Sequence, residues 1–206
     1  MPSESLIDTP SGPARVIRHP VADPRGLLVL GHGAGGGVSA PDLTAATAAA
    51  RESGVEVALV EQPYRVAGRK VPSPAAQLDA AWLAVIAALR SPDAAVPLFT
   101  GGRSSGARVA CRTAKVTGAS GVLCLAFPLF APARRGGERP SRQAELDDAG
   151  VPVLVVQGLT DPFGMPEPAA GRHVVQLVGD HGLKKDLGGV RAAVSTWLRD
   201  QLDART

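Results

Sequence analysis

Short apolar runs alternate with stretches of helical periodicity along most of the chain. Residues 26–30, 55–60, 121–127, 151–156 and 173–178, and a run ending at Phe99 and Thr100, have strand length and are largely continuous in apolar residues. Such runs suit strands buried on both faces of a parallel sheet. Between them, Leu78, Trp82, Val85, Ile86 and Leu89 recur at helical spacing over 75–90, and Val190, Val194, Trp197, Leu198 and Leu202 do so over 185–202. Further helices are expected over 41–52, from Ser104 to about Gly118, and over 142–149. Ser39 and Asp42 stand at capping-box spacing, with Pro41 in the first turn. Pro63 ends the strand before it, because a central strand cannot tolerate proline. Residues 1–24 are rich in Pro, Ser and Asp and read as one or two edge strands and loops. Strands alternating with helices predict an α/β fold, a mostly parallel central sheet with helices on both faces. No internal repeat or boundary divides the chain, so residues 1–206 are expected to form one domain.

Composition narrows the function classes. Aromatic residues make up 3% of the chain, so Ala, Val and Leu must build the core. A formal net charge of +3 with no long basic run argues against nucleic-acid binding. Cys111 and Cys124 fall in small-residue or apolar segments and read as buried free thiols. The first residues lack a basic start followed by an apolar run, and no apolar stretch reaches spanning length. A soluble cytoplasmic protein with no membrane association is expected.

The chemistry concentrates in Gly102-Arg103-Ser104-Ser105-Gly106, which fits G-x-S-x-G between a strand and a helix. A serine on so sharp a turn is strained, and the residues two before and two after it must lack bulk. Ser104 has glycine at both positions; Ser105 has Arg103 and Ala107. In sheets of this type, ligands bind outside the carboxyl ends of the strands. Asp161 and His181 follow the strands expected at 151–156 and 173–178, giving the chain order serine, acid, histidine. A serine hydroxyl needs a base to take its proton, and the base needs a carboxylate to orient it. His19, His173 and Asp180 are weaker rivals, the last because it adjoins His181.

Gly31 to Gly37 form a glycine turn after the first buried strand. Gly31, Gly33 and Gly36 satisfy G-x-G-x-x-G, with Glu61 as a candidate ribose ligand. Residues 38–41 intervene before helical sequence begins, which argues against a dinucleotide site. The same turn can supply an oxyanion donor: Ala34 N–H, with Gly35 as an alternative, beside Ser105 N–H. No cofactor is expected, and no spacing of His, Cys or carboxylates reads as a metal site.

The stretches LVLGHGAGG, PY, GGRSSGARVA, FPLF, VQGLTDPFG and GDHG resemble a compact α/β-hydrolase family of dienelactone-hydrolase-like predicted hydrolases, which has testis-expressed and NSL-complex animal relatives. The resemblance spans about residues 25–200. It implies a Ser104–Asp161–His181 triad on a lidless fold, and no particular substrate. Ser105 and Ala107 depart from it, standing where a larger residue, often methionine, and a second glycine are common.

With about 20 residues between Phe130 and Val151, no cap domain fits, and an open site for small acyl groups is expected. His32, Gly33, Tyr64, Phe130, Arg134 and Arg135 are the candidate substrate contacts. Arg134, Arg135, Arg139 and Arg142 read either as a solvated basic loop or as an anion-binding rim. The expected activity is cleavage of a small carboxylic ester or thioester through an acyl-enzyme. The alternative is a catalytically idle interaction protein on the same fold.

Overall fold

The computed structural model describes residues 1–90, 96–131, 137 and 139–205. Its elements run β1 (Ser3–Ile7), β2 (Ala14–His19), β3 (Gly26–Gly31), α1 (Pro41–Glu52), β4 (Val55–Glu61), α2 (Pro63–Val66) and α3 (Ala75–Leu89). They continue with β5 (Leu98–Arg103), α4 (Ser105–Thr117), β6 (Gly121–Leu125), α5 (Gln143–Asp147), β7 (Val153–Gly158), β8 (Arg172–Leu177) and α6 (Leu187–Asp203). The strands form one sheet in the spatial order β1-β2-β4-β3-β5-β6-β7-β8. β3 to β8 are parallel neighbours, and β2 pairs antiparallel with both β1 and β4.

Period-two alternation sorts the sheet's side chains into two layers. Leu28, Leu30, Val57, Leu59 and Leu123 face α1 and α6; Val29, Ala58, Val60, Val122 and Cys124 face α3 and α4. With few aromatics, Tyr64, Trp82, Phe99, Phe127 and Trp197 are all buried in the packing. Phe99 and Trp197 meet edge-on at 5.7 Å, and Trp82 is buried beneath Gly31. Burying a side chain of this size stabilises by roughly 1.5–3 kcal/mol.

Several boundaries differ from the sequence reading for physical reasons. β5 continues through Gly101 and Gly102 to Arg103, where a turn was expected after Thr100. The glycines belong to the strand because β6 and β3 crowd it. A Cβ on Gly101 would overlap the Leu123 carbonyl, and one on Gly102 would overlap that of Gly31. The capping box is absent: Ala40 is the N-cap of α1, and Asp42 turns away to Arg103. Pro63, which stops β4, starts α2 at its first turn, where proline is tolerated. β2 lies inside the sheet, with β1 as the edge, and Ala14 and Val16 are fully buried.

Chain order defines a switch point. After β3 the chain adds β4 on one side and returns with β5 on the other. The carboxyl ends of β3 and β5 therefore diverge around a crevice, with Gly31 registered opposite Gly102.

Candidate active site

Ser104 occupies that crevice at the end of β5. Its backbone lies at φ 51° and ψ −107°, a conformation costing on the order of 1–3 kcal/mol for a residue with a Cβ. The surroundings hold it there. Ser104 N–H donates to the Leu125 carbonyl at 2.8 Å, and α4 starts at once with Ser105. A Cβ on Gly106 would overlap the Gly31 carbonyl, as one on Gly102 would. The glycine spacing around Ser104 is thus the footprint of the end of β3 pressing on both flanks of the turn.

Ser104 Oγ lies 2.9 Å from His181 Nε2, and His181 Nδ1 lies 2.8 Å from Asp161 Oδ2. The carboxylate accepts from Nδ1–H, which leaves Nε2 free to accept the serine proton. Asp161 sits three residues beyond β7 with its side chain 1% exposed. Its Oδ1 accepts the Phe163 N–H at 2.8 Å, and Oδ2 also accepts from Gln157 Nε2 at 2.9 Å. Gln157, fully buried at the end of β7, also donates to the carbonyls of Phe127 and Gly164. The Phe163 ring stands against the His181 ring at 4.6 Å.

The histidine loop is anchored at both sides of His181. Leu183, at φ 50°, is buried in the α1 and α6 layer, and its N–H donates to the Asp180 carbonyl. Asp180 itself accepts from Gly182 N–H, so it is committed to the loop. Arg103 Nη2 donates to the His181 carbonyl at 2.9 Å while its Nε pairs with wholly buried Asp42 at 2.9 Å.

The glycine loop after β3 is braced from behind. His32 is buried; its Nδ1 lies 2.8 Å from the Gly33 carbonyl, and its Nε2 accepts the Gln62 N–H at 3.1 Å. Nδ1–H is therefore the donor, and burial lowers the ring's pKa, favouring the neutral form these contacts require. Tyr64 hydroxyl donates to the Ala34 carbonyl at 3.1 Å. Expected as substrate contacts, His32 and Tyr64 have their polar atoms on backbone groups instead: His32 ties the loop to Gln62, and Tyr64 holds the Ala34 carbonyl. A Cβ on Gly33 would touch Ser104 Cβ and press on the Arg103 guanidinium.

Ala34, Ser104 and Ser105 line one cleft with Pro72, Ser73, Pro128, Phe163 and three arginines, Arg108, Arg112 and Arg142. Among the described residues, no acceptor takes the N–H of Ala34 or of Ser105. Phe130 is not a lining residue: it packs on Gly164 and beneath Arg139, 5.6 Å from that guanidinium carbon. Arg134 and Arg135 lie outside the described residues. Glu61 pairs with Arg15, and α1 begins ten residues beyond Gly31, as suits neither ribose nor pyrophosphate binding. Among the described residues, no group of three or more His, Cys, Asp or Glu is placed to hold a metal, and no helix is long and apolar enough to cross a membrane.

Sequence reasoning missed Arg103, Gln157 and Phe163. The signals were present: a cation inside an otherwise small and apolar stretch, and an amide closing an apolar strand.

The sequence model of an alpha/beta hydrolase domain matches residues 24–185. No curated protein matches the chain significantly by sequence. Solved structures share its fold at low identity. A serine hydrolase without lid, XC6422 from Xanthomonas campestris, is 20% identical with a TM-score of 0.74, over 97% of this chain and 94% of that one. Est1E from Butyrivibrio proteoclasticus is 17% identical with a TM-score of 0.76, over 97% and 99%. A dienelactone hydrolase from Anabaena variabilis is 15% identical with a TM-score of 0.75, over 97% and 98%.

Proposed function

The chain belongs to the alpha/beta hydrolase domain family, and on that premise we propose that it is a serine hydrolase cleaving small carboxylic esters or thioesters through an acyl-enzyme. The observation that carries this reading is the hydrogen-bonded line Ser104 Oγ, His181 Nε2, His181 Nδ1, Asp161 Oδ2.

His181 Nε2 takes the Ser104 proton as Oγ attacks the carbonyl carbon. Asp161 keeps the imidazole in the required tautomer and stabilises its cation. The oxyanion that forms accepts from the N–H groups of Ala34 and Ser105, the latter at the positive end of α4. As the intermediate collapses, the alkoxide or thiolate leaves with the proton carried by His181. Water then repeats the sequence: His181 takes its proton, the hydroxide oxygen attacks the acyl carbon, and Ser104 leaves reprotonated with the acid released.

A fluorophosphonate probe tests the assignment on wild type, Ser104→Ala and Ser105→Ala. Labelling is expected in wild type and Ser105→Ala and absent in Ser104→Ala. Turnover of phenyl acetate should fall by about 10⁴–10⁶ in Ser104→Ala. Labelling lost only in Ser105→Ala moves the nucleophile to Ser105. A folded wild type that neither labels nor hydrolyses any short aryl ester favours an interaction protein.

A further inference from the structure

The cleft beside Ser104 has three charged lining side chains, Arg108, Arg112 and Arg142, and all are cations. Two carboxylates stand behind them. Glu145 accepts from Arg108 Nε at 2.8 Å and Nη2 at 2.5 Å, and from Arg112 Nη1 at 3.2 Å. Asp79 accepts from Arg112 Nε at 2.9 Å and Nη2 at 2.6 Å. These pairs tie α4 to α3 and α5, which is a sufficient structural role for Arg108 and Arg112.

Arg142 is different. Among the described residues it has no ion pair. Its Nη1 donates to the carbonyls of Pro128 at 3.1 Å and Phe130 at 3.2 Å, which fixes the guanidinium plane. No described residue accepts from Nε or Nη2. Burial, followed by the charge of Arg108, lowers its pKa; Arg112 and Arg139 add to the lowering, and Glu145 opposes it. This preorganised cation, half-buried among like charges on the wall of the cleft that holds Ser104, is in ion-pair contact with no carboxylate among the described residues.

We infer that this cleft binds an anionic group of the substrate, a carboxylate or a phosphate, with Arg142 as its principal ligand and Arg108 beside it. The inference rests on Ser104 being the nucleophile, for the anion to belong to the molecule being cleaved. The cleft volume of about 280 Å³ equals roughly nine waters at ~30 Å³ each. A short ester whose charge lies a few bonds from the scissile carbonyl fits that space. A planar guanidinium with free N–H groups suits the two oxygens of such an anion.

Matched ester pairs test this. One pair carries the charge on the leaving group (4-carboxyphenyl acetate against phenyl acetate), the other on the acyl group (4-nitrophenyl hydrogen adipate against 4-nitrophenyl hexanoate). At low salt, kcat/KM for at least one anionic ester should exceed its neutral partner tenfold or more. That ratio should fall toward one in Arg142→Gln and be partly kept in Arg142→Lys. A wild-type ratio at or below one for both pairs, or a ratio unchanged in folded Arg142→Gln, overturns the inference.

If the glutamine variant fails to fold, wild type alone decides. Glutarate or inorganic phosphate should compete with phenyl acetate at fixed ionic strength, and the stronger of the two identifies the anion; no competition by either overturns the site. Failure of the hydrolase reading looks different, with no turnover and no fluorophosphonate labelling. In that case calorimetry with glutarate and with phosphate reads the anion site directly, and no binding of either overturns it.

Discussion

Arg103 pairs through Nε with Asp42 at 2.9 Å, and the other arm of the same guanidinium holds the His181 carbonyl at 2.9 Å. One side chain, next in sequence to Ser104, thus joins the first turn of α1 to the histidine loop. Burial pushes the Asp42 carboxyl pKa up, against the pull of Arg103 and of the Leu43 N–H. A carboxyl that titrates higher in the folded state binds its proton more tightly there. Its contribution to stability is therefore complete below the unfolded value and lost as pH rises through the raised one.

Arg103→Gln removes the main attraction that offsets burial, so the Asp42 pKa rises further and the loss extends to higher pH. Relative to Arg103→Gln/Asp42→Asn, the single variant should match in stability near pH 4 and fall behind by about 3–5 kcal/mol once Asp42 ionises. Urea denaturation across pH 4–8 reads the difference; parallel profiles would contradict it. With the histidine loop released, kcat should drop about 10–100-fold with little change in KM.

Gly102→Ala should be severely destabilising, because its Cβ would overlap the Gly31 carbonyl and lie within contact of Gly106 backbone. A displacement that opens β3 from β5 costs about 1–3 kcal/mol or more and also shifts Ser104. Thermal melting should drop, and fluorophosphonate labelling of whatever fraction folds should slow. A normal melting temperature with normal labelling would refute the packing account of the motif.

Tyr64→Phe deletes one hydroxyl and leaves the ring's packing against His32, 5.8 Å between centroids, in place. The lost bond to the Ala34 carbonyl should cost about 1 kcal/mol. Under the proposed mechanism the rate should fall more than stability implies, because the glycine loop is then free to turn Ala34 N–H away. Comparing kcat with the urea midpoint separates these effects; a fall in stability with unchanged kcat would detach Tyr64 from oxyanion binding.

Cys111 and Cys124 are buried thiols with sulfurs 3.5 Å apart, and burial raises the Cys124 pKa well above its usual value. Both sulfurs are shielded from solvent, so neither should react with a disulfide reagent in the native protein at pH 8, while both should react in urea. Stoichiometric reaction under native conditions would place one of them nearer the surface.

The central strands were legible because parallel strands covered on both faces leave uninterrupted apolar runs. Ser104, Asp161 and His181 were legible as a set for a related reason: each follows such a run, and residues following strands share one end of the sheet. Contacts made by a side chain turning back on the fold were not legible. His32 and Tyr64 read as substrate contacts, yet their polar atoms face backbone groups of the glycine loop and of Gln62. Asp42 stood at a capping position and was drawn to Arg103, whose charge is a stronger attraction for a wholly buried carboxylate than an N–H. The run of apolar residues stops at Thr100, and that β5 continues through Gly101 and Gly102 was not legible because the pressure of β3 and β6 on the strand is long-range information.

The line from Ser104 to His181 crosses 77 positions of sequence, and this has a consequence for the nascent chain. At translation rates of about 5–20 residues per second, the serine emerges roughly 4–15 s before its hydrogen-bond partner His181. During that interval β3, β4 and β5 can pair, but Ser104 has no base. Under the proposed mechanism, competence therefore arrives late, when β7 and β8 close the sheet. Probe labelling of ribosome-bound chains would time the completion of the fold.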